Sequence, residues 1–136
     1  MADIGRPRPL TLLGILAASR GDAAEAVAHL EQALSLAESS GDDAAAAAAL
    51  NNLALAVAGA GETERAIELT RAGLERAGAV GDRHREAALR NRHADLLHAA
   101  GRREEAMAEL KQAVALFAEV GEPGKLEPEI WKLSEW

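Results

Sequence analysis

Four histidines, His29, His84, His93 and His98, are the residues best suited to metal or proton chemistry in this chain, and their spacing limits what they can do. His93 and His98 stand five residues apart, which on a helix separates them around the axis; two metal ligands four apart would share a face. His29 and His84 fall in other segments, and no carboxylate spacing near them completes a metal pattern. No serine has the glycine flanks of a nucleophile elbow, and "GAGETER" (59–65) lacks the lysine and the preceding strand of a phosphate loop. Adjacent Glu104 and Glu105 fit a helix's first turn, where the positive end of the helix dipole accounts for them. With no cysteine, disulfides, thiolate metal sites and cysteine nucleophiles drop out together. The expectation is a protein that is not an enzyme and holds no metal and no cofactor.

Residues suited to binding are easier to find. "AALNNLALAVAGAG" (48–61) places Asn51 and Asn52 in a segment otherwise made of alanine, leucine, valine and glycine. Asparagine's amide competes with the backbone for hydrogen bonds, so a mid-helix pair is either tolerated at the surface or used. "DRHREAALRNRH" (82–93) concentrates Arg83, Arg85, Arg90 and Arg92 in a chain of net charge −7. It reads either as a solvated face or as an anion-facing patch, where arginine's fork gives paired hydrogen bonds to a carboxylate.

The elements that carry these residues follow from composition and repetition. Hydrophobic residues make up 49% and aromatics 2%, so a core must be built from close-packed small side chains, which favours helices over sheets. The acidic balance disfavours nucleic-acid and anionic-membrane partners, and no apolar run approaches the roughly twenty residues of a membrane span. Arg6 and Arg8 before "LTLLGILAAS" imitate a signal peptide, but the repeat explains the same leucines. A cytoplasmic location is the expectation.

Glycines fall at 21, 61 and 101 and again at 41, 81 and 121, two series that each advance by forty residues. Ala26, Ala66 and Ala106 coincide, followed by Val27, Ile67 and Met107, then by Leu34, Leu74 and Val114, at the spacing of one helix face. Small residues recur at Ala33, Gly73 and Ala113, where a neighbouring helix must come close. The other series, "PLTLLGILAASRG", "ALNNLALAVAGAG" and "ALRNRHADLLHAAG", supplies a second helix, so each forty residues hold a helical hairpin. Asp22, Asp42 and Asp82 follow glycines and can cap the next helix. "LEPEIWKLSEW" (126–136) predicts a capping helix with Pro128 in its first turn and Trp131 and Trp136 in the cap.

Leu13, Gly14, Ala26 and Ala33, repeated as Leu53, Ala54, Ala66 and Gly73, resemble the tetratricopeptide repeat signature. The forty-residue period and "LNNLAL" are similar to the extended repeats of kinesin light chains and of bacterial regulatory proteins. The resemblance implies an all-α fold, a right-handed α-solenoid of three hairpins (about 8–40, 41–80 and 81–120) and a capping helix (about 126–136), in one domain over 1–136. It leaves Arg90 and His93 at expected core positions, so that either their stems snorkel to solvent or that hairpin packs less firmly.

In this family the first helix of each hairpin lines a concave groove where peptides bind. Carried over, that register puts Thr11, Ile15, Asn51, Asn52, Leu55, Asn91, Arg92, Asp95 and His98 on or beside the groove. Of the five positions that clamp a terminal carboxylate in some members, Asn52 and Arg92 match, while Thr11, Ile15 and Ala88 do not. The implied function is non-catalytic binding of a protein or peptide segment. The alternative is self-association through an uncapped N-terminal hairpin (Leu10, Leu12, Ile15), or service as the assembly arm of a larger bacterial transcriptional regulator or signalling ATPase.

Overall fold

Helices begin at Ala23, Asp43, Thr63, Arg83, Arg103 and Pro123, twenty residues apart each time. The computed structural model describes residues 23–121 and 123–136. In order the helices are α1 (Ala23–Ser39), α2 (Asp43–Gly59), α3 (Thr63–Val80), α4 (Arg83–Ala99), α5 (Arg103–Val120) and α6 (Pro123–Glu135). The expected first helix of the first hairpin, with Thr11, Ile15 and the N-terminal leucines, lies outside the described residues.

Local chemistry sets the boundaries. Asp42 accepts a hydrogen bond from the Ala45 N–H at 3.0 Å, and Asp82 from the Arg85 N–H at 2.9 Å, so two of the three predicted caps form, and Asp22 lies outside the described residues. At the equivalent starts of α3 and α5 the residues are Glu62 and Arg102, and neither side chain caps. Gly81 and Gly121 end α3 and α5 in the left-handed conformation, at φ 69° and 74°, which costs any residue with a Cβ. The cap helix begins earlier than expected from Pro128. α6 starts at Pro123, at the same step after Gly121 as α4 after Gly81, and Pro128 lies a turn further in, where it removes one backbone donor.

Each helix packs chiefly against its neighbours in sequence, and α2 also touches α4, as consecutive hairpins of a stacked array require. Leu30 of α1, Leu53 and Val57 of α2, Ile67 of α3 and Leu97 of α4 meet in one continuous core. Burying side chains of this size stabilises by about 2 kcal/mol each. Ala33, Gly73 and Ala113 are all buried. A Cβ on Gly73 would stand 3.0 Å from Leu89 Cδ2 and 3.4 Å from Leu50 Cβ, so the small residue is what lets three helices converge there. Along the exposed side Arg65 reaches Glu31 at 2.8 Å and Arg76 reaches Glu38 at 3.1 Å, pairs that link successive second helices at modest energetic gain.

Candidate binding face

The first helices of successive hairpins, α2, α4 and α6, are tied by a repeated polar rung. Arg92 Nε donates to Asn51 Oδ1 at 2.7 Å, and one hairpin later Lys132 Nζ donates to Asn91 Oδ1 at 3.1 Å. Both pairs are 41 residues apart, so the cation of one helix grips the asparagine of the helix before it. Asn51 is only 7% exposed, and its carbonyl oxygen is engaged inside the protein. Of the two adjacent asparagines, then, Asn51 is buried and positions an arginine while Asn52 is half-buried.

Arg92 combines burial with incomplete pairing. Loss of water around its guanidinium lowers its proton affinity, and the nearby Asp95 charge only partly opposes this. The group stays charged, and Asn51 holds its Nε edge, leaving the two terminal nitrogens unpartnered among the described residues. Lys132 is better compensated. Burial again disfavours its charge, but hydrogen bonds to Asp95 at 2.8 Å and Glu129 at 3.1 Å outweigh it and hold the ammonium above the ordinary lysine range.

The predicted site residues therefore divide in two. Asn51 and Arg92 pair with each other, Asn52 is half-buried and Leu55 is half exposed, and none of the four is in contact with α6 through a hydrogen bond among the described residues. Asn91, Asp95 and His98 are occupied by α6 and the residue after it, the first two through Lys132 and His98 through its ring, which stacks on Trp136 with centroids 4.1 Å apart. Trp136 thus belongs to the cap as expected, whereas Trp131 does not: it is 67% exposed, at the register of Asn51 and Asn91. Lys132 and Glu129 were not singled out from the sequence. The signal was available, since Lys132 follows Arg92 by one forty-residue period.

The arginine run does not form one patch. Arg83 pairs with Glu119 on the exposed side, Arg92 joins the rung, and Arg90 turns into the third hairpin. Arg90 Nη1 lies 3.2 Å from both oxygens of Glu109, and its Nε lies 3.4 Å from Glu86. His93 Nδ1 sits 3.0 Å from Glu109 Oε1. Arg90 and His93 do not snorkel to solvent: both turn inward to a carboxylate on the facing helix. Burial opposes the Glu109 charge, but the His93 hydrogen bond, the His93 charge and Arg90 outweigh it and hold the carboxyl below its usual range. Among the described residues, His93 Nε2 is the one buried side-chain polar atom without a partner. No group of three or more metal-ligating side chains occurs among the described residues, and none of their helices is long and apolar enough to cross a membrane.

Stacked helical hairpins with these rungs define an all-α repeat solenoid. The family model for the tetratricopeptide repeat matches residues 6–79, and a second tetratricopeptide repeat model matches 87–119; the chain belongs to the tetratricopeptide repeat family. Similar solved structures are those of a Podosopora anserina putative kinesin light chain of nearly identical TPR-like repeats and of a variant of the same protein in which one glutamine is replaced by methionine. Each has a TM-score of 0.84 and 23% identity over 99% of this chain, which spans 67% and 66% of theirs. No curated protein sequence matches. Tetratricopeptide repeats generally mediate protein–protein interactions, and their fold is typically a non-catalytic scaffold.

Proposed function

We propose that the face formed by α2, α4 and α6 binds an extended peptide segment carrying an acidic side chain. The observation that carries this reading is Arg92, a guanidinium desolvated by its surroundings, steadied at Nε by Asn51 and unpartnered along its terminal edge among the described residues. Such a group gains most from a carboxylate that meets it with two parallel hydrogen bonds. Asn52, one step along the helix, can donate to and accept from a peptide backbone. Leu55 and the exposed Trp131 supply apolar surface on either side.

Peptides selected by display on the full chain and retested by fluorescence anisotropy provide the test. Replacing Asn52 and Arg92 together by alanine weakens them about tenfold to a hundredfold, as loss of hydrogen bonds to a charged group implies. The double variant still unfolds cooperatively. Unchanged affinity for every selected peptide places binding on another surface and ends this assignment.

A further inference from the structure

We infer that the outward seam of α6, centred on Ile130 and Ser134, docks one amphipathic helix supplied by another protein, of the type this chain uses as the second helix of a hairpin. The register makes the comparison possible: α6 starts forty residues after α4 and eighty after α2, and it repeats the rung to the helix before it. In α2 the residues that face the second helix are Leu50, Leu53 and Ala54, 4%, 1% and 0% exposed. At the same places in α6, Ile130 is 49% exposed, Ser134 is exposed and Leu133 is half-buried. The hairpin interface established twice within the molecule thus continues in register into α6, where the corresponding positions are exposed or half-buried.

What closes that seam elsewhere defines what fits it. Over α2 lies α3, with small residues at Ala66, Gly73 and Ala77 and an apolar residue at Leu69. Over α4 lies α5, which puts Glu109 at the position of Leu69 to meet Arg90 and His93. The α6 seam carries Ile130 and Leu133 where α4 has those two, so no cation waits there for a buried carboxylate. A helix of the α3 type matches it, and one of the α5 type would bury an unpaired charge. Another folded copy of this chain has no such helix to offer among its described residues. The stripe of α1, Ala26, Ala33 and Ala37, and that of α3 are already buried within their own chain.

Two synthetic peptides test this, one of residues 62–81 and one of residues 102–121, each labelled and titrated into the full chain while anisotropy is read. The first binds, and the second binds at least about tenfold more weakly because of its carboxylate. Ile130→Glu removes binding of the first, Ser134→Arg does so by blocking the seam, and Arg92→Ala leaves it unchanged, which separates this seam from the peptide-binding face. Both seam positions are exposed enough for the variants to fold, as circular dichroism checks. Equal affinity for the two peptides, no binding of either, or indifference to both seam variants overturns the inference. So does a concentration-dependent dimer in light scattering that Ile130→Glu dissolves, since it assigns the seam to a second copy.

Discussion

The second and third hairpins share a backbone and differ in what fills it. Leu50, Leu53 and Leu69 of the one stand where Arg90, His93 and Glu109 stand in the other. All three positions change together, because an arginine or a histidine at the first two needs an acceptor at the third. Glu109 provides it to both at once, at 3.2 Å and 3.0 Å. The same helical spacing therefore supports an apolar seam or a charged one, provided the buried cations share an acceptor. The charged version has one defect the apolar one lacks, a buried His93 Nε2 with no partner among the described residues.

Removing single members tests the comparison most severely. Glu109→Ala leaves Arg90 and His93 without their shared acceptor and destabilises by about 3 kcal/mol, the range for breaking a largely buried pair. Leu69→Ala at the equivalent place of the second hairpin, where the side chain is only partly buried, loses roughly half of a full leucine deletion, about 1.5 kcal/mol. Urea unfolding of both variants measures the gap; equal losses would mean that the charged seam contributes no more than its carbon atoms.

Replacing the whole cluster moves stability the other way. The triple variant Arg90→Leu, His93→Leu and Glu109→Leu copies the second hairpin into the third and raises stability by about 1 to 2 kcal/mol, as apolar replacement of complete buried ion networks often does. A thermal midpoint below that of the parent shows instead that α4 and α5 are spaced for the charged residues.

The smallest difference lies in pH. Folding lowers the proton affinity of the Glu109 carboxyl, so its contribution is fully present above the ordinary glutamate value of about 4.3. It is lost as pH falls from there through the lower folded-state value, because over that interval the unfolded chain takes up a proton that the folded protein does not. Amide exchange in α4 and α5 accelerates relative to α2 and α3 as pH falls through that interval, and the triple leucine variant removes the excess. Parallel acceleration in both hairpins assigns acid sensitivity to other carboxylates.

The repeat was legible because it is written in local chemistry. Glycines every twenty residues end helices, Asp42 and Asp82 start them, and the stripe through Ala66 and Gly73 declares which side must come close. Much of the candidate face was legible too, since a forty-residue period carries Asn51 onto Asn91. Its partition was not. Whether an asparagine is open or engaged depends on a residue in another helix, 41 positions along the chain, and no local pattern carries that information. The same holds for Trp131 and Trp136, both aromatic and both near the C-terminal end of the chain, one exposed and one stacked on His98.

By itself, then, the sequence determined the five described helices before the cap, the hairpin period and the absence of bulk at the crossings, because capping, helix propensity and apolar spacing act within a few residues of chain. Tertiary structure decided which polar groups became interior fittings and which stayed available to a partner. Arg90 turned toward Glu109, Arg92 toward Asn51 and Lys132 toward Asn91 because burial makes an unpaired charge costly, and the partners that relieve the cost came together only when the hairpins stacked.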